Sequence, residues 1–184
     1  MWTTIVIVLV LALYIISVYN GLISRRNQSK EAWATIETQL KRRHDLIPNL
    51  VSAVKGAAKH EKGTLESVVK ARTAATKAHG AVDAAAAENV LTGALGKLFA
   101  LAESYPALRA NENFVELQRE LSDTENKIQS ARQFYNTVVM SLNTQIEQFP
   151  SNMVANMFKV TPEKLFELDA EEKKATKKAP KVEF

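Results

Sequence analysis

The sequence predicts an all-α protein: one membrane-spanning helix at the N-terminus followed by a helical bundle domain. Three observations carry that expectation. Met1 to Ser24 contain no charged side chain, and Ile5 to Ile16 are almost wholly apolar. Ala, Leu, Lys, Glu and Gln are abundant while Gly and Pro number only 6 and 5, a composition that favours helix. After Ser24 the apolar residues recur at spacings of three and four, which is the period of a helix with one buried face.

About 20 apolar residues cross the hydrocarbon core of a bilayer as a helix. The first segment meets that length, with Trp2 at one end and Tyr14 and Tyr19 toward the other, where aromatic rings favour the interface. A cleaved signal peptide is the rival reading. It requires a positive n-region and a small-residue cleavage site, and neither Lys nor Arg precedes the run while Tyr19-Asn20-Gly21-Leu22 is a poor cleavage context. Residues 1–24 are therefore read as an uncleaved single-pass anchor in the cell (inner) membrane, with membrane lipids as its partner. Arg25, Arg26 and Lys30 follow the segment directly, so the positive-inside rule puts the N-terminus outside and the domain in the cytoplasm.

From Trp33 a heptad frame runs through Ile36, Leu40, Arg43, Ile47, Leu50, Val54, Ala57, Glu61, Thr64 and Val68. It keeps its phase across Pro48, which argues for one bent helix. The alternative is a break, with Asp45 as N-cap and Pro48 in the first turn. His79-Gly80 resembles a helix C-terminus. After the Ala-rich passage Ala81 to Ala87, a helix is expected from about Glu88 to Ser104, with Leu91, Leu95, Leu98 and Ala102 on one side. An unbroken helix from Arg25 to Ala78 would span about 80 Å, against about 25 Å for Glu88 to Ser104. Either Pro48 is a real bend or turn, or Pro106 is less than a full reversal.

Tyr105-Pro106 interrupts that helix, and Asn111 is a fitting N-cap for the next. Its apolar stripe runs Phe114, Leu117, Leu121, Thr124, Ile128, Ala131, Tyr135, Val138, Leu142 and Phe149. Such length argues packing along a bundle or coiled coil. Phe149-Pro150 ends it, and a short apolar element spans Met153 to Phe158. Thr161-Pro162-Glu163 reads as the start of a last short helix near Lys164 to Leu168. The domain is bounded at 25–169. Residues 170–184, with Lys173, Lys174, Lys177, Lys178 and Lys181, read as a disordered charged tail.

Composition excludes several chemistries. The absence of Cys removes disulfides, thiolate zinc sites and a Cys nucleophile. The net charge of +4 is modest, and the aromatics are not interleaved with basic residues, so nucleic acid is not an expected partner. Lys41-Arg42-Arg43 is a local basic cluster, whereas Arg25 and Arg26 suit anionic headgroups. His60-Glu61 lacks the second His of a zinc helix, and His44, His60 and His79 share no ligand spacing. Gly93-Ala94-Leu95-Gly96-Lys97 is not a phosphate loop. No catalytic residue, cofactor or metal site is assigned.

Polar residues on the faces that should be buried stand out instead: Arg43 and Glu61 in core-frame positions, Arg72 one step after Val68, and on the later helix Glu125 and Arg132 flanking the stripe, followed by Tyr135 and Asn136. They are read as an inter-helix network that fixes register, since buried charges need partners and helices offer them. The competing reading is a ligand or catalytic cluster.

Long stretches of the chain resemble the LemA family: YNGLISRRNQ, the run from Trp33 through QLKRRHDLIPNLVSAVKGAAKHEKGTLESVVKAR, ALGKLFALAESYPALRANENFVELQRELSDTENKIQSARQFYN and FPSNMVANMF. The resemblance implies a bacterial membrane-anchored protein whose domain is an antiparallel up-and-down four-helix bundle of long helices. It implies no established catalytic activity. Two departures are visible. Leu142 stands where the family often has Tyr, and Lys159 follows Phe158 where Gly is common.

The function expected is a scaffold or adaptor that binds other proteins, or itself as a homo-oligomer, at the membrane surface. Its candidate surfaces are Ile47-Pro48-Asn49 and the element Met153, Val154, Met157 and Phe158. A membrane-remodelling homo-oligomer is the alternative. An enzyme with an unrecognised site around Glu61, Arg72, Glu125 and Arg132 stands behind both.

Overall fold

A computed structural model describes residues 1–58 and 60–166, and the expected tail lies outside them. The elements are α1 (Trp2–Ala57), α2 (Lys62–Ala75), α3 (Gly80–Glu103), α4 (Pro106–Arg109), α5 (Glu112–Glu147) and α6 (Ser151–Met157). Every regular element among the described residues is helical. The chain is an all-α protein with one N-terminal apolar helix and several further helices. It divides into two compact units, one of Met1–Ile36 and Ser130–Leu165, the other of Glu37–Gln129 with Phe166.

The second unit is built on the stripes that the sequence suggests. Ile47, Leu50 and Val54 of α1, Leu65 and Val68 of α2, Leu91, Leu95 and Leu98 of α3, and Phe114 and Leu121 of α5 form one buried cluster. Helix α1 runs through Pro48 without a break. The chain instead leaves the helix at Ala58 and resumes at Lys62, so the single helix expected to reach Ala78 is two helices. The frame shifts with the break: Ala58 is buried, Ala57 exposed, and Leu65 rather than Thr64 enters the core.

Helix α3 starts at Gly80, well before the expected Glu88, and takes in the Ala-rich passage. Gly80 has φ +76, a backbone state that a Cβ disfavours, and it marks the reversal between the packed pair α2 and α3. The earlier break and the longer α3, about 36 Å at the helical rise, reduce the mismatch of lengths. Asn111 caps α5 as expected, with its Oδ1 accepting the Phe114 N–H at 3.2 Å.

In the first unit Leu22, Leu142, Ile146, Ala155 and Val160 form a second core with Val18 packed against it. The α5 stripe is buried at Tyr135, Val139 and Leu142, so Val139 takes the inward place given to Val138. Phe149 lies beyond the end of α5 and is exposed. The Ser151 hydroxyl lies 2.5 and 2.9 Å from the Gln145 and Gln148 carbonyls, which share its one proton at the C-terminal end of α5. Thr161 to Phe166 form no helix, contrary to expectation. Backbone groups of this segment are held by side chains. Asn143 accepts the Glu163 N–H and donates to the Glu163 carbonyl, both at 2.9 Å. The Tyr135 hydroxyl donates to the Lys164 carbonyl at 2.9 Å.

Candidate functional site

A buried polar node lies in the second unit. The α1 stripe Leu40, Ile47, Leu50 turns Arg43 and His44 inward. The α3 stripe Leu91, Leu95, Leu98 extends one turn back to Glu88, which is buried with Ala84 and Ala85. Glu125 follows buried Thr124 on α5, and Arg72 lies one turn after Val68 on α2.

The groups consume one another. Arg43 Nη1 lies 3.1 Å from Glu88 Oε2 and 3.1 Å from Glu125 Oε2. Its Nη2 donates to Thr92 Oγ1 at 2.7 Å. The second oxygen of Glu88, Oε1, lies 2.6 Å from His44 Nε2. Arg43 and Glu88 are almost fully buried, whereas the Glu125 side chain is 41% exposed. The node therefore couples one deeply buried ion pair to a carboxylate at the surface.

Arg72 does different work. Pro48 has no N–H, so the carbonyl of His44, four residues earlier, loses its helical donor. Arg72 Nε donates to that carbonyl at 2.7 Å. A guanidinium from α2 thus completes the ladder of α1, and the helix continues past its proline.

Of the residues singled out from sequence, Arg43 and Glu125 meet in this node, and Arg72 reaches the main chain of His44 beside it. Glu61 lies elsewhere in the same unit, where its Oε1 accepts the Tyr105 hydroxyl at 3.1 Å. That hydrogen bond, then desolvation and the charge of Glu61, hold the Tyr105 phenol above its ordinary 10.0. Tyr135 belongs to the first unit and packs at a tilt against Trp33, with ring centroids 5.6 Å apart. Burial raises its phenol above 10.0, the Glu163 charge adds to this, and a hydrogen bond with Ser29 opposes it. Arg132 and Asn136 also fall on the first-unit part of α5. Ile47 is buried in the core, which leaves Pro48 and Asn49 as the exposed part of that candidate surface. Val154 is buried, while Met153, Met157 and Phe158 are exposed.

Sequence reasoning missed Glu88, His44 and Thr92. Glu88 was legible: stepping the α3 stripe back from Leu91 by three reaches it. His44 is one turn after Leu40, but a lone His beside Arg43 gives no hint of a carboxylate 44 residues away.

Beside the node a cleft of about 340 Å³ is lined by Arg43, Thr92, Leu95, Phe99, Leu121 and Glu125, among others. Its one guanidinium is already held by carboxylates and a hydroxyl. Among the described residues no three His, Cys, Asp or Glu converge in a metal-holding group.

Residues 32–184 match the LemA family. Protein LemA of Metamycoplasma hominis is 26% identical over 140 residues, which cover 74% of this chain and 63% of that relative. The chain thus spans less than two thirds of the relative's length. Neither the family description nor the relative's name carries a catalytic activity. The N-terminal part of α1 is long and apolar enough to cross a membrane, and its apolar side chains are exposed, so the protein is membrane-associated through this helix. The chain belongs to the LemA family.

Proposed function

We propose that the protein is a single-pass scaffold or adaptor that holds a helical domain at the membrane surface and binds other proteins there. Residues 1–24 are the anchor, 25–169 the domain and 170–184 a charged tail. The domain is an antiparallel up-and-down four-helix bundle. Arg25 and Lys30 beside the apolar run favour a cytoplasmic domain.

One observation carries this reading: each charged group of the buried node answers a group on another helix. Arg43 meets Glu88, Glu125 and Thr92, and Glu88 also meets His44. Such a node ties helices together and leaves no buried group for chemistry. Work then falls to the exposed faces. Pro48 and Asn49 favour one of them, because Asn49 shares a groove of about 580 Å³ with Leu46, Ser52, Leu117, Glu116 and Glu120. The α1 wall is uncharged and the α5 wall acidic, which suits a partner helix with apolar and basic side chains.

A photocrosslinking residue at Asn49, in intact cells, tests the idea. It should give discrete heterologous adducts that a crosslinker at exposed Lys70 does not. Glu116→Lys with Glu120→Lys should abolish them. Adducts of equal yield from both positions, or none, would sink the adaptor reading for this groove.

A further inference from the structure

The first unit carries a second uncharged surface close to the membrane helix. Phe149 to Phe158 contain no charged side chain, in a chain that is 24% charged. The segment folds as α6 and turns Ser151, Val154 and Ala155 inward. Its other face is open and mostly apolar, with Asn156 the exposed polar residue on it: Met153 and Met157, one turn apart, are each 63% exposed, Phe149 is 80% and Phe158 46%. An apolar patch of this kind on an otherwise polar surface marks a binding face.

Its position says what covers it. Helices α1 and α5 run antiparallel here. Arg25 donates to the Ser141 hydroxyl, and a Cβ on Gly21 would meet Gln145 at 3.1 Å. Four residues back along α1 match four residues on along α5. The same register brings Glu147, the last residue of α5, level with Tyr19, three residues after the apolar run that ends at Ile16. The Phe158 ring lies 4.5 Å from that of Tyr19. At about 1.5 Å per residue, Tyr19 is only about 5 Å along the helix from Ile16. Interfacial helices seat their apolar faces about 5–10 Å into the headgroup and acyl boundary.

We infer that Phe149, Met153, Met157 and Phe158 lie in the bilayer interface and form a second lipid contact beside the membrane helix. This rests on the reading of residues 1–24 as a spanning anchor. The α5–α6 corner is thereby seated on lipid, and the open face of α6, expected from sequence to bind protein, is assigned to the membrane. Continuity with the apolar helix favours lipid over a protein partner. The patch follows directly on the end of α5, within about a turn of where the membrane helix's own apolar run ends, and the Phe158 ring packs at a tilt against the interfacial Tyr19.

The absence of native cysteine makes the test direct. The full chain, reconstituted in vesicles of phosphatidylcholine and phosphatidylglycerol, carries a single environment-sensitive fluorophore at Met153→Cys, Met157→Cys, Leu9→Cys or Glu66→Cys. All four parent side chains are exposed, so the variants should fold, as circular dichroism will verify. A lipid nitroxide high on the acyl chain should quench labels at Met153 and Met157 by about twofold or more over the label at Glu66, as expected for interfacial side chains. The label at Leu9 reports the anchor. If Leu9 is quenched and Met153 and Met157 are not, the lipid contact is overturned while the anchor stands. If Leu9 is also unquenched, the anchor reading falls and the inference with it. Labels at Met153 and Met157 that are shielded from aqueous iodide yet indifferent to lipid nitroxide would mean a protein covers the face, which likewise overturns it.

Discussion

Arg72 gives the carbonyl of His44 the hydrogen bond that Pro48 cannot, at 2.7 Å and from a different helix. A proline inside a helix removes one N–H and crowds the carbonyl a turn before it. Here the freed carbonyl is met by a charged donor, and such bonds contribute about 1.5–3 kcal/mol. Arg72→Ala should destabilise the protein by about that amount. The diagnostic is the double mutant. With Pro48→Ala in place the backbone N–H returns, and Arg72→Ala should then cost measurably less in detergent melts. Equal costs in both backgrounds would mean that Arg72 does not serve the proline.

Glu88→Ala should be among the most damaging single changes. It strips the buried Arg43 of its buried carboxylate and His44 of its partner. Breaking a buried pair costs about 3–5 kcal/mol, enough to threaten a domain. Glu88→Gln should retain part of the loss, because the amide oxygen still accepts. Thermal unfolding of the full chain in detergent checks both, and a Glu88→Ala melt within a degree or two of wild type would contradict the node as a structural tie.

Glu125→Ala should cost much less. From sequence, Glu125 looks like the buried partner of Arg132 or Arg72, whose loss would be severe. Its partner is Arg43, its side chain is 41% exposed, and Arg43 keeps Glu88. Solvent screening reduces such a pair to about 1 kcal/mol or less, and that remainder should shrink as salt is raised. A double-mutant cycle with Glu88 measures it.

Tyr135 should make stability fall in alkali. Its folded-state pKa is raised above 10.0, so the fold favours the protonated phenol. The contribution is fully present below the unfolded value of 10.0 and is lost as pH rises through the folded value. Tyr135→Phe should flatten this part of the pH profile, and the remaining slope should fall again in the double variant with Tyr105→Phe. A single Tyr135→Phe profile that superimposes on wild type would refute the assignment.

Lys159→Gly should stabilise the protein. Lys159 has φ 52 at the end of α6, in the left-handed region, and the next N–H, of Val160, bonds back to Ala155 at 2.9 Å. A side chain in that conformation costs about 1 kcal/mol, which glycine avoids. The departure noted at this position is therefore a local strain, and a higher melting temperature for the variant is the expected reading. Lys159→Ala should give no such gain.

Helix α5 was legible nearly end to end, because Asn111 is a local cap and the Phe114, Leu121, Ile128, Tyr135 stripe is long. The break after Ala57 was not. The true core steps from Ala58 to Leu65, two full helical turns, so the false frame through Ala57, Glu61 and Thr64 returns to phase at Val68 and hides the gap. Ala84 and Ala85 are buried where the sequence offers no large apolar residue to announce a helix. The helix start read at Thr161-Pro162-Glu163 is not followed by helix as far as Phe166, beyond which the rest of that expected helix lies outside the described residues, and the reason is non-local: Asn143 and Tyr135 hold the backbone groups of Glu163 and Lys164. Of the node, Arg43 lay in a core frame and Glu125 beside the α5 stripe, whereas His44 was missed because it is one residue off that frame, and Glu88 because the α3 stripe was read only from Leu91 onward.

The clamp of Asn143 on Glu163 distributes evolutionary freedom unequally. Both bonds from the amide go to the main chain of Glu163, so this grip needs an N–H there but not a carboxylate, which Ser29 engages separately. The side-chain requirement of the clamp falls on position 143. Aspartate there would lose the donor, alanine would lose both bonds, and glutamine would be a carbon too long for the same geometry. The path of the segment after α6 is thus set in part from another helix, by Asn143 and by the Tyr135 hydroxyl on the Lys164 carbonyl, through main-chain groups that every residue but proline offers in full.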